Sequence, residues 1–99
     1  MNQAIYERLK EVARAKEVIN YSEIMPNRRV IGRILEEICR YEVQRGHPML
    51  AAVVVRKDTR MPGKAFFDLA HRLDTYTGND DRTFWKSELS RVHNYWQSH

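Results

Sequence analysis

Seven consecutive residues, Met49 to Val55, carry no polar side chain. A helix or strand with one face in water needs polar residues at regular intervals, so this run has to be covered on both faces. That places it at the centre of whatever the chain builds. Val53, Val54 and Val55 are β-branched, and Gly46 and Pro48 precede the run as breakers. Together these features predict a buried strand over Met49–Val55. With 99 residues, the chain supports one modest core around that strand and not two.

The flanking segments read mainly as helix. Asn2 is placed to cap a first helix whose inward face is Ile5, Leu9, Val12 and Ala13, spaced for a 3.6-residue period. Val18 to Tyr21 suits a short extended segment, and Ser22 is the expected cap of a brief helix that ends before Pro26. Asn27 then caps the longest helix, roughly residues 28 to 45, with an apolar stripe of Val30, Ile31, Ile34, Leu35, Ile38, Cys39 and Tyr41. Gly46 fits its stop position. After the apolar run, 56–60 and 61–64 read as two bends. Phe66, Phe67, Leu69, Ala70 and Leu73 mark a fourth helix. Asp80 or Asp81 caps a last helix, with a core stripe of Phe84, Leu89, Val92 and Trp96. Trp85 and Tyr95 fall off that stripe and are expected to mark a partner or dimer surface. The fold class expected is mainly α with a small β-hairpin or sheet, in one domain spanning 1–99.

Charge is not evenly spread along this layout. Residues 27 to 64 hold nine Lys/Arg against four acidic residues, whereas the rest holds eight against nine. The overall surplus of +4 therefore originates in the middle of the chain. A short helix, a second helix opened by Arg28 and Arg29, and a strand ending in Arg56-Lys57 together form the layout of a winged helix-turn-helix. Arginines at a helix N-terminus oppose the helix dipole, and such a local conflict points to function. Arg33 and Arg40 read in two ways: as anion contacts, or as four-apart ion pairs with Glu37 and Glu36. Arg56, Lys57, Arg60 and Lys64 gather around the turn after the strand, either as a basic wing reaching phosphates or as a solvated turn. Pro62-Gly63-Lys64 resembles a phosphate-seating turn only weakly, with a single glycine and a single lysine. Gly32, inside the predicted helix, either packs tightly against the first helix or leaves a gap through which another backbone, protein or DNA, approaches closely.

Composition narrows the classes further. No apolar stretch approaches the ~20 residues of a membrane span, and residues 1–7 lack the pattern of a signal peptide. One cysteine forms no internal disulfide, which fits a reducing, cytoplasmic setting. His47, His71, His93, His99 and Cys39 show no metal-ligand spacing, and Cys39 sits on an apolar face as an inert thiol. No metal or cofactor is expected. No hydrolase triad or nuclease carboxylate motif is present, so catalysis is reduced to a remote nuclease or toxin using His47 or His71 with Asp58 or Asp68.

Val18-Ile-Asn-Tyr-Ser-Glu-Ile-Met25 resembles the segment that opens the DNA-binding domain of alkylguanine-DNA alkyltransferases and alkyltransferase-like proteins. Arg29-Val30-Ile31-Gly32 falls where that family carries Arg-Ala-Val-Gly on its recognition helix, and Pro48 with the apolar run resembles its approach to the active site. The resemblance covers about 40 residues, Val18 to Lys57. It implies that Tyr21 acts near a target nucleotide's phosphate and that Arg29 props open the base stack. The family's cysteine position falls near Val53, and no Pro-Cys-His-Arg exists, so alkyl transfer has no thiolate to accept the group. The remainder, with Pro-Gly-Lys-Ala-Phe-Phe-Asp-Leu-Ala, is similar to small bacterial and phage proteins.

The expectation is a non-catalytic protein that binds double-stranded DNA through Tyr21, Arg28, Arg29, Arg33, Arg56, Lys57, Arg60 and Lys64, with a homodimer as the usual form of the class. The alternative is a protein-interaction or inhibitor module of a defence or phage system, with its basic face on an acidic surface and Trp85 or Trp96 as anchor.

Overall fold

The computed structural model describes residues 1–99. Its elements in order are α1 (Gln3–Arg14), β1 (Ile19–Asn20), α2 (Tyr21–Ile24), α3 (Arg28–Gln44), a 3₁₀ turn (Leu50–Val53), β2 (Val54–Val55), α4 (Lys64–Arg72) and α5 (Asp81–Gln97). The fold is mainly helical with one small sheet. No helix is long and apolar enough to cross a membrane.

The apolar run lies where its composition requires, with Met49 to Val55 all buried. Its conformation differs from the expected strand. Leu50–Val53 coil into a 3₁₀ turn that packs against α1, α3 and α5, and only Val54–Val55 are extended. The reason is the backbone's need for partners. The one available strand is β1, which pairs in parallel over two positions, Ile19 with Val54 and Asn20 with Val55. Residues before Val54 have no neighbouring strand, so they close local bonds, as Ala52 N to Met49 O at 3.0 Å. The sheet is therefore a parallel pair, and the expected hairpin is absent.

Helix termini follow the side chains present. Asn2 Oδ1 accepts from Ile5 N at 3.0 Å, Asn27 Oδ1 from Arg29 N at 3.1 Å, and Asp80 Oδ1 from Thr83 N at 3.1 Å. Ser22 is not a cap. The brief α2 begins two residues earlier than a Ser22 cap requires, with Asn20 as its cap, because the Asn20 amide donates to Glu23 Oε2 at 2.9 Å and the turn closes around Tyr21. Gly46, at φ 78°, ends α3. Gly46 N donates to Val43 O at 3.0 Å and His47 N to Glu42 O at 2.9 Å, the paired bonds of a Schellman stop.

The stripes are close to those expected, with informative exceptions. On α3, Ile31, Leu35, Ile38 and Cys39 are buried, but Val30 and Tyr41 are exposed and Glu42 takes the inward place. On α5, Trp85 is buried and its Nε1 donates to Ala52 O at 2.8 Å, so it is a core residue and not a partner surface. Trp96 is buried too, which removes both anchors of the interaction-module reading. Phe84 instead stacks on Tyr76, ring centres 4.3 Å apart, beside Phe66 and Phe67.

Candidate nucleic-acid interface

Tyr21 is the junction of the basic region. It opens α2, immediately after β1, and its ring passes beneath the start of α3, where the Arg28 guanidinium lies 5.9 Å from the ring centre. Its Oη accepts a hydrogen bond from the Gly63 amide at 3.0 Å, at the cap of α4. Arg56, the residue after β2, brings its side chain to the same place: a Cβ built on Gly63 would lie 3.6 Å from Tyr21 Oη and 4.0 Å from Arg56 Cδ. Burial raises the phenol's pKa above its ordinary value, against the opposing pull of the Gly63 amide, Arg28 and Arg56. The hydroxyl thus keeps its proton, and that proton has no acceptor within the protein. A donor beside the Arg28 guanidinium and the Arg56 side chain is a favourable seat for an anion.

The other candidates fall into two groups. Arg28, Arg29, Arg33, Lys57 and Arg60 form no ion pair. Asn27, Arg29, Val30 and Arg33 line a shallow depression of about 220 Å³ at the opening of α3. The four-apart reading thus separates: Arg40 pairs with Glu36 at 3.1 Å, whereas Glu37 meets the N-terminal ammonium and leaves Arg33 free. Arg56 and Lys64 are paired, with Asp58 at 3.0 Å and with Asp68 at 3.1 Å. The Arg56 pair is two-pronged and holds the Asp58 carboxyl below its usual range. Pairs this exposed contribute little and exchange readily for a phosphate.

The segment after β2 is a closed turn. Arg56 N donates to Met61 O at 2.8 Å and Arg60 N to Arg56 O at 3.0 Å, with Arg60 in the left-handed region at φ 60°. It presents Lys57 and Arg60 to solvent from a compact loop, not from the tip of a β-ribbon. The Gly63 amide, one of those expected to be free for a phosphate, is taken by Tyr21.

Gly32 does not pack against α1. It is exposed, and a Cβ added there would meet nothing within 4 Å. Together with Tyr21, Leu35, Ala51, Ala65 and Leu69 it lines an apolar groove between α3 and α4, of about 60 Å³. Cys39 lies on its inner wall, fully buried, with the thiol pushed up to about 12 by burial. A thiol held in that state supplies no nucleophile at neutral pH. Val53, near the position of the alkyltransferase cysteine, is buried within the 3₁₀ turn.

A second polar cluster escaped the sequence reading. Glu42 is fully buried; it accepts from Tyr6 Oη at 3.2 Å and meets His47 Nδ1 at 3.3 Å. His47 Nε2 continues the chain to Tyr95 Oη at 2.8 Å. Glu88, also buried, accepts from the Met49 amide at 2.8 Å and from Arg91 at 2.7 Å. Glu42 ties α3 to α1 and to the segment leading into the apolar run, and Glu88 ties α5 to the first residue of that run. Their helical spacing was the available signal: Glu42 follows Ile38 by four residues and Glu88 precedes Val92 by four. His47 is therefore engaged by Glu42 and Tyr95, and His71 is stacked on Tyr76 at 4.2 Å, so neither meets Asp58 or Asp68 as the nuclease reading requires.

Comparison with models of known protein families, with curated proteins and with solved structures finds no match to this chain.

Proposed function

We propose that the protein binds double-stranded DNA without catalysing a reaction on it, presenting the N-terminal part of α3 to a groove. In this reading α2, the Met25-Pro26-Asn27 turn and α3 act as a helix-turn-helix, and the turn at 56–61 takes the place of a wing. The observation that carries the proposal is the free hydroxyl proton of Tyr21, set between Arg28 and Arg56. It offers a phosphate one directed hydrogen bond beside the unpaired Arg28, with Arg56 joining once it leaves Asp58. Arg29 and Arg33, without carboxylate partners, then face base edges or the opposite strand, while Lys57, Arg60 and Lys64 meet neighbouring phosphates. The resemblance of Tyr21 and Arg29 to alkyltransferase-like positions supports the same orientation.

Fluorescence anisotropy of labelled duplex DNA across a salt series tests this. Counterion release predicts log K falling with log salt at about −0.9 per phosphate neutralised. Arg28→Ala/Arg29→Ala is expected to flatten that slope by one to two phosphates. Absence of binding by the wild-type protein at low salt overturns the proposal.

A further inference from the structure

Gly32 occupies an interior position of a 17-residue helix, where only proline is a poorer choice than glycine. Neither usual reason for a glycine applies to it. No neighbouring atom would touch a Cβ there, and its backbone is ordinary helix. The bare position does have a consequence on the outside: it opens the apolar groove that runs from Tyr21 along Ala65 and Leu69. The groove's one carboxylate, Glu36, is engaged by Arg40 at 3.1 Å and Arg72 at 3.7 Å. Its rim carries Arg28 and Arg56 around Tyr21, and Arg33 follows Gly32 directly.

We infer that Gly32 is a contact residue of the proposed interface, where the notch it leaves seats the deoxyribose of a DNA strand whose phosphate is held at Tyr21, Arg28 and Arg56. This rests on the DNA-binding reading and goes beyond it. A nucleic-acid strand alternates an apolar sugar edge with an anionic phosphate, and this surface alternates an apolar notch with a cationic cluster. An apolar peptide would have no use for Arg28 and Arg33, the two rim arginines without a carboxylate partner. Close approach, not charge, is the contribution of Gly32, as for a glycine that lets a backbone come near.

The test is Gly32→Ala, with Gly32→Gln as a longer probe and Ser90→Ala, an exposed change on α5, as control. Gly32→Ala raises the thermal midpoint by about 4–8 °C, because the alanine gains helix propensity and meets no clash. The same variant weakens duplex binding about tenfold, as a methyl forced into a filled contact does. The salt slope stays at the wild-type value, since no charge is removed, and Gly32→Gln binds more weakly still. Ser90→Ala leaves affinity unchanged. Wild-type affinity in a stabilised Gly32→Ala overturns the inference and leaves the DNA-binding reading intact. A destabilised Gly32→Ala overturns it as well, by revealing a packing role. No duplex binding by the wild type overturns both.

Discussion

The Tyr21 hydroxyl accepts the Gly63 amide proton at 3.0 Å, a bond between residues 42 positions apart that fastens the start of α2 to the start of α4. One hydroxyl therefore serves the fold through its lone pair, while its proton remains available to a ligand. Tyr21→Phe separates these from the electrostatics, because the ring beneath Arg28 is retained. Loss of the bond costs about 1 kcal/mol, read as a lower urea midpoint. Duplex affinity falls as well, yet the salt slope stays near wild type because no charge is lost. A flattened slope in this variant would show that Tyr21 acts only by positioning the arginines.

Glu42 is the most consequential polar residue of the core. It is fully buried and serves both Tyr6 and His47. Glu42→Ala leaves two polar groups without their partner and opens a cavity, so a loss of about 3–5 kcal/mol is expected in denaturant unfolding. Glu42→Gln preserves an acceptor for Tyr6 and is expected to cost under about 2 kcal/mol. Equal losses for the two variants would mean that the carboxylate's charge and second acceptor, and not the volume it fills, are what the core requires.

High pH is expected to destabilise the protein through Cys39 and Tyr6. Burial pushes the thiol from 9.0 to about 12, and burial with the adjacent Glu42 pushes the phenol from 10.0 to about 12. Both groups hold their protons more tightly when folded, so the unfolded chain deprotonates first. The stability they contribute is complete below about pH 9 and is lost as pH rises toward 12. For Cys39 the decline approaches about 1.4 kcal/mol per pH unit within that window. Urea midpoints taken from pH 8 to 11 check this, with Cys39→Ala expected to flatten the decline. The same burial makes the native thiol unreactive toward a disulfide reagent, with labelling that accelerates in proportion to unfolding as urea is added.

Much of this architecture is legible in the residues themselves. Asn2, Asn27 and Asp80 cap helices because a short polar side chain before an apolar period has few other uses. Gly46 stops α3 because only glycine takes its positive φ without strain. What was not legible depends on distant partners. Whether Leu50–Val53 forms a strand is decided by the number of neighbouring strands, and the chain supplies two residues of one. The inward place of Trp85, by contrast, is legible: it precedes Leu89, Val92 and Trp96 by four, seven and eleven residues, the face of a 3.6-residue period, and its indole meets the Ala52 carbonyl there. In the candidate site, the unpaired state of Arg28 and Arg29 followed from the absence of acids nearby in sequence. The meeting of Tyr21 with Gly63 had no local signal, since it is made by tertiary packing alone.

The two tryptophans of α5 provide a matched pair for the last prediction. Both are buried, at 8 % and 6 % exposure, and both belong to the same core. Trp85 Nε1 donates to Ala52 O, within the 3₁₀ turn, whereas Trp96 Nε1 is buried with no partner. Replacing either by Phe removes similar apolar volume, so the cavity contribution is nearly common to the two. The difference is polar. Trp85→Phe strands a buried carbonyl and is expected to cost about 1–3 kcal/mol more than the packing loss alone. Trp96→Phe removes a donor that had been desolvated without compensation, which offsets part of its packing loss. In urea unfolding, Trp85→Phe should therefore be clearly the less stable of the two variants. Equal midpoints would mean that an ordered water satisfies Trp96, or that the Trp85 bond contributes nothing to the fold.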